Sequence, residues 1–144
     1  MMRRILAAVD ASPRAPDVLE AAQELGARFG AEVTLLRVIA IPQDFPPSAA
    51  HGVDPLPREV EQSAAEELRQ LAAGHPELKL EPPLVYAGQP WRAIVERAEK
   101  LEVDLIVIGS HGYRGWDRIL GTTAGKVVNH AGRDVLVVHE KKKR

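Results

Sequence analysis

The chain has 144 residues, 19 of them basic and 20 acidic, and a formal net charge of −1. That length suits one domain, 1–144, with a sizeable core, and the charge balance excludes a global pull toward nucleic acid or an anionic membrane. There is no cysteine, which rules out disulfides, thiolate metal sites and cysteine nucleophiles.

The opening Met1-Met-Arg-Arg-Ile-Leu-Ala-Ala-Val9 is too short an apolar run for a signal peptide, and it meets Asp10 and Pro13. No apolar stretch approaches the ~20 residues of a membrane helix. The expectation is a cytoplasmic protein without a membrane segment. The terminal Lys141-Lys-Lys-Arg144 reads as a solvated tail.

Arg4 to Val9 reads as the first strand. Ser12 and Pro13 then offer an N-cap and a first-turn proline. Val18, Ala22, Leu25 and Phe29 mark one face of the following helix, with Gly30 as its stop. Glu32 to Val38 is the second strand. Ile41 to Pro57, rich in proline, is a loop, read either as a lid over a ligand or as a surface loop. Val60, Ala64, Leu68 and Leu71 set out the second helix, closed near Gly74. Leu80 to Tyr86 is a third strand, and Pro82-Pro83 restrict it to an edge or a late start.

Gly88-Gln-Pro90 turns into a helix carrying Trp91, Ile94, Val95 and Ala98. Val103 to Ile108 is the most apolar strand and is expected at the centre. A helix from Thr122 to Ala131, the turn Gly132-Arg-Asp134 and the strand Val135 to His139 close the chain. Alternation of β-branched runs with helical patterns predicts an α/β fold: a doubly wound, five-stranded parallel sheet with helices on both faces. Such sheets take ligands beyond the carboxyl ends of their strands, where the winding reverses. Val9-Asp10 and Ile108-Gly109 are two such ends.

Between the most apolar strand and the last helix stands Gly109-Ser-His-Gly112-Tyr-Arg-Gly-Trp-Asp-Arg-Ile-Leu-Gly121-Thr122. Glycines let a backbone approach an anion, and a helix's first N–H groups are free to bond it. Gly109, Gly112, Gly121 and Thr122 therefore read as a phosphate cradle, and the alternative is a set of turn glycines. Gly121-Thr-Thr-Ala-Gly125-Lys126-Val has one residue too few between its glycines for a Walker loop, and no hydroxyl residue follows the lysine. The first turn, Asp10-Ala-Ser-Pro13, carries no glycine, which argues against a dinucleotide site.

Asp10 reads equally as a carboxylate for a ribose hydroxyl or base amino group and as a turn residue beside Ser12. The five histidines (His51, His75, His111, His130 and His139) lack metal-type spacing. His111 could donate to a phosphate oxygen or stand solvated. His130, Trp91 and Trp116 read as packing or surface residues. Arg114 and Arg118 could pair with phosphates or with surface carboxylates. No nucleophile and base stand at a spacing that demands catalysis.

Taken together, Arg4-Ile-Leu-Ala-Ala-Val-Asp10-Ala-Ser, Leu35-Leu-Arg-Val38, Gly88-Gln-Pro90, Asp104-Leu-Ile-Val-Ile-Gly109-Ser-His-Gly112, Gly121-Thr122, Val127-Val128 and Val135-Leu-Val-Val138 resemble the universal stress protein family. The resemblance covers almost the whole chain. It implies strand order 3-2-1-4-5 and a homodimer, often paired antiparallel through the last strand, here Val135 to Val138.

The family's ATP-binding branch carries Gly-x2-Gly-x9-Gly-Ser/Thr, and this chain has the glycines. By that resemblance Ala8, Asp10 and the backbone of Val38 would hold adenosine. Gly109, Ser110, His111, Gly112, Tyr113 and Arg114, with Gly121, Thr122, Thr123 and Ala124, would hold the phosphates of ATP, with Mg²⁺ bound through them. The chain departs from the pattern in having eight residues between Gly112 and Gly121. The expected function is an ATP-binding stress-response or signalling module that works as a dimer with a protein partner. The alternatives are a slow ATPase or phosphotransferase and a nucleotide-free dimeric interaction protein.

Overall fold

The structure, a computed structural model, describes residues 1–40, 56–110 and 121–139. His111, Gly112, Tyr113, Arg114, Trp116 and Arg118, and most of the loop expected from Ile41 to Pro57, lie outside the described residues. Strands β1 (Arg4–Ala8), β2 (Glu32–Ala40), β3 (Lys79–Leu80), β4 (Leu84–Gly88), β5 (Leu105–Gly109) and β6 (Asp134–Val138) form one sheet. Every pairing in it is parallel.

The sheet order is β3-β2-β1-β5-β6, with β4 also on β2. Counted as one interrupted strand, β3 and β4 restore the expected order 3-2-1-4-5. Pro82-Pro83, expected to restrict a continuous strand from Leu80 to Tyr86 to an edge or a late start, instead split it in two. Glu81 donates the last ladder bond to the Val33 carbonyl at 3.0 Å, and Pro82 and Pro83, lacking N–H groups, cannot continue it.

Helices α1 (Ala15–Phe29) and α2 (Arg58–Ala73) cover one face, and α3 (Pro90–Lys100) and α4 (Thr122–His130) the other. The strands alternate between the two cores. Ile5, Ala7, Val33, Leu35, Leu105 and Val107 pack with Val18, Leu19, Ala22 and Leu68. Leu6, Leu36, Ile106 and Ile108 pack with Ile94, Ala98, Ala124 and Val127. β5 is buried on both faces from Leu105 to Ile108, as its uninterrupted apolar run predicts.

Register is fixed at the amino ends of the strands. The Asp104 carboxylate accepts the N–H of Arg3 at 2.7 Å and of Arg4 at 3.0 Å, and its own N–H donates to the Arg4 carbonyl at 2.9 Å. Those two backbone donors, Arg3 first, hold its carboxyl below the ordinary carboxylate range. Arg133 pins the far side, donating to the Ala98 carbonyl at 2.7 Å and the Val103 carbonyl at 2.9 Å.

Two local expectations are corrected. Ser12 does not cap α1: the helix starts at Ala15, its N-cap Arg14 has no side-chain cap bond, and the proline of its first turn is Pro16. The Ser12 hydroxyl accepts the Arg14 N–H at 3.2 Å instead, which spends it on a turn before the helix. Phe29 does not extend the apolar face, for it is 54% exposed in the last helical turn, and the buried stripe ends at Gly26. A Cβ at Gly26 would stand 3.1 Å from Val33 Cγ2, so glycine lets α1 approach β2 there. The chain then reverses at Gly30, φ 64°, as its glycine predicts. Among the described residues no helix is long and apolar enough to cross a membrane.

Candidate functional site

The crossovers turn opposite ways from β1 and β5, so the winding reverses between these neighbours. Ala8 faces Leu36 of β2 and Ile108 of β5 in register. Val9-Asp10 and Gly109-Ser110 therefore leave the sheet side by side, with Val38 just beyond on β2.

The β5 side is tied at one point. Ser110 donates its N–H to the Val138 carbonyl at 2.9 Å, and Gly121 donates to the Ser110 carbonyl at 2.6 Å. α4 begins at the next residue. Its N-cap, Gly121, supplies no side-chain bond, and the first intrahelical bond runs from Gly125 to the Gly121 carbonyl at 2.9 Å. The N–H groups of Thr122, Thr123 and Ala124 thus lack intrahelical acceptors, and the helix dipole adds positive potential there.

Ser110 is 1% exposed, and its hydroxyl has no hydrogen-bond partner among the described residues. A buried unpaired hydroxyl costs stability, so this orphan beside a bare helix end fits a site that takes an anion with acceptor oxygens. A Cβ at Gly109 would meet Val18 Cγ2 at 3.6 Å, an ordinary contact, so packing against α1 does not by itself demand that glycine.

On the β1 side, Asp10 is exposed, and its Oδ1 accepts the Ser12 N–H at 2.9 Å. The turn reading of Asp10 is therefore correct as far as it goes, and its second oxygen has no donor among the described residues. Ala8 and Val38 are half-buried against the α3–α4 core. Asp10 also lines a cavity of about 390 Å³ on the α1–α2 face, with Ser12, Arg37, Glu67, Gln70 and Leu71. Ala8, Val38 and Gly109 do not line it, so of the described residues expected to hold a ligand Asp10 alone reaches this cavity.

Sequence reasoning passed over Arg37. It is 7% exposed and pairs with Glu67 on α2. Its Nε donates to the Val9 carbonyl and its Nη2 to the Asp10 carbonyl, each at 3.4 Å. A single cation inside the apolar run Leu35-Leu-Arg-Val38 was the available signal. Trp91 and His130 are packing residues, as expected. Their rings stand 4.8 Å apart, and His130 Nδ1 bonds the Lys126 carbonyl at 2.8 Å. Among the described residues no three His, Asp or Glu gather as metal ligands would.

Among the described residues the site offers hydrogen-bond donors and one free carboxylate oxygen, with no paired nucleophile and base. It can bind and orient a polar anionic ligand. The described residues carry no arrangement for covalent chemistry.

The family model described as universal stress protein family matches residues 1–139. Universal stress protein A homolog 1 of Coxiella burnetii is 33% identical over 142 residues, covering 94% of this chain and 95% of the relative. Among solved structures, universal stress protein UspA from Lactobacillus plantarum is similar with TM-score 0.72 and 26% identity, covering 95% of this chain and 97% of its own. A universal stress protein in complex with cAMP shares the fold at TM-score 0.68 and 22% identity, over 96% of this chain and 97% of that one.

Proposed function

This chain belongs to the universal stress protein family, and from that premise we propose that it is a cytoplasmic ATP-binding module whose nucleotide occupancy is read by a protein partner. The observation that carries this reading is the buried Ser110 hydroxyl, without a partner among the described residues, on the residue whose carbonyl accepts the N–H of Gly121 at the uncapped start of α4. The Ser110 hydroxyl and the N–H groups of Thr122, Thr123 and Ala124 supply donors for phosphates, and Gly109 and Gly121 let the backbone approach them. Asp10, with Ala8 and the Val38 backbone, receives the adenosine part. His111, Gly112, Tyr113 and Arg114 belong to the same proposal through the sequence pattern. A protein of this fold holds cAMP, an adenine nucleotide, which makes ATP a reasonable ligand class for the fold. Mg²⁺ arrives with the phosphates, since the described residues offer no ligand cluster of their own.

Binding without turnover is the simpler reading of these groups. Phosphoryl transfer needs a positioned nucleophile and charge stabilisation in the transition state. A switch needs only affinity that differs between two states. We also propose a homodimer through β6, which among the described residues pairs only with β5 and whose Leu136 is 37% exposed. An uncovered edge strand of apolar residues suits pairing with a second copy.

Thermal unfolding with ATP, GTP or inorganic triphosphate tests the reading. Stabilisation by ATP beyond that by the other two supports it. No stabilisation at millimolar ATP sinks it and leaves the interaction-protein alternative. Multiple-turnover release of phosphate would instead favour the slow ATPase.

A further inference from the structure

β1 ends at Ala8, so the Val9 and Asp10 carbonyls have left the β ladder and need other donors. The Val9 N–H still reaches the Leu36 carbonyl, at 2.8 Å. The two carbonyls receive Arg37 instead, one from Nε and one from Nη2. Position 37 continues the inward face of Val33 and Leu35, where an aliphatic side chain would fill the core without desolvating a charge. A guanidinium there returns its desolvation cost only through such acceptors and an ion pair. Its planar fork serves both carbonyls and Glu67 at once, which a lysine ammonium cannot do in the same geometry.

We infer that Arg37 is a positioning residue for Asp10: from β2 it fixes the peptide that carries the Asp10 carboxylate, and through Glu67 it ties that peptide to α2. The inference rests on the proposed adenosine role of Asp10. Three contacts define that carboxylate's position. Arg37 holds the Asp10 carbonyl, the Ser12 N–H holds Oδ1, and the Arg14 N–H holds the Ser12 hydroxyl. Asp10 is exposed and its Oδ2 has no donor among the described residues, which leaves that oxygen for a ligand donor. The Glu67 side chain is 57% exposed, so the far end of this chain of contacts lies at the α2 surface, where a change in α2 would be felt at Asp10.

The test compares wild type, Arg37→Met, Asp10→Asn and the double variant by ATP and inorganic triphosphate affinity. Arg37→Met weakens ATP about tenfold and leaves triphosphate unchanged, since only the adenosine contact is misplaced. In the Asp10→Asn background it costs less than about twofold more, because residues acting through one contact are not additive. Equal loss of ATP and triphosphate, or full additivity, overturns the inference.

The Ser12 amide resonance is read in the same proteins without nucleotide. It shifts in Arg37→Met as it does in Asp10→Asn, and an unmoved resonance overturns the inference. If wild type takes no nucleotide, the adenosine reading falls and this resonance alone decides the positioning role. Should Arg37→Met not fold, Glu67→Gln keeps the guanidinium and removes only the charge of its exposed partner. It weakens ATP about threefold and shifts Ser12 in the same direction. Wild-type affinity together with an unmoved Ser12 resonance in that variant contradicts the proposal.

Discussion

The Gly121 amide and the Ser110 carbonyl meet at 2.6 Å, so the chain leaves β5 and enters α4 at a single point of the sheet's carboxyl edge. That bond sets buried Ser110 beside a helix start whose first N–H groups lack intrahelical acceptors.

Ser110→Ala separates stability from binding. Removing an orphaned buried hydroxyl leaves the ligand-free protein as stable as wild type or up to about 1 kcal/mol more stable. The same variant binds ATP about five- to tenfold more weakly, because the hydroxyl's ligand bond is lost. Chemical denaturation and titration calorimetry on one preparation check both signs.

Asp10→Asn keeps an oxygen for the Ser12 N–H, so its unfolding midpoint stays near that of wild type. The lost charge weakens ATP by about tenfold or more, in line with hydrogen bonds to ionised groups. Unchanged ATP affinity in a folded Asp10→Asn protein removes Asp10 from the site.

Asp104 predicts a pH dependence. Its folded pKa lies below the unfolded value of about 3.9, so its contribution is complete above that pH and is lost as the pH falls through the folded value. Asp104→Asn is less stable than wild type near neutrality, and the difference narrows below about pH 4. Urea midpoints across a pH series show whether the two curves converge on the acid side.

Leu136→Lys places a charge on the exposed edge of β6. It converts a dimer paired through that strand into monomer without changing ATP affinity, since charged edge residues oppose strand pairing. Sedimentation of both proteins at matched concentration decides it.

The sheet was legible in the sequence because its signals are local. Leu105 to Ile108 is a continuous apolar run, Gly30 reverses the chain, and Pro82-Pro83 break a ladder. The start of α1 was misread because a serine followed by proline serves a turn as readily as a helix cap, and only the Arg14 N–H decides between them. Arg37 was passed over because its acceptors lie at Val9 and Asp10 and its ion pair at Glu67, all remote in sequence. No window of residues displays that arrangement. The orphaned Ser110 hydroxyl is likewise a property of packing, since a glycine-serine pair reads the same whether the serine is solvated or buried.

The central claim is that these strand ends bind ATP, and titration calorimetry of ligand-free protein with ATP and Mg²⁺ addresses it most directly, with GTP and AMP as controls. The account predicts saturable binding near one ATP per chain with a micromolar Kd, equivalent to about −8 kcal/mol, and weaker heats for both controls. Absence of heat together with an unmoved unfolding temperature at millimolar ATP contradicts it, and the chain is then a family member whose site does not take nucleotide.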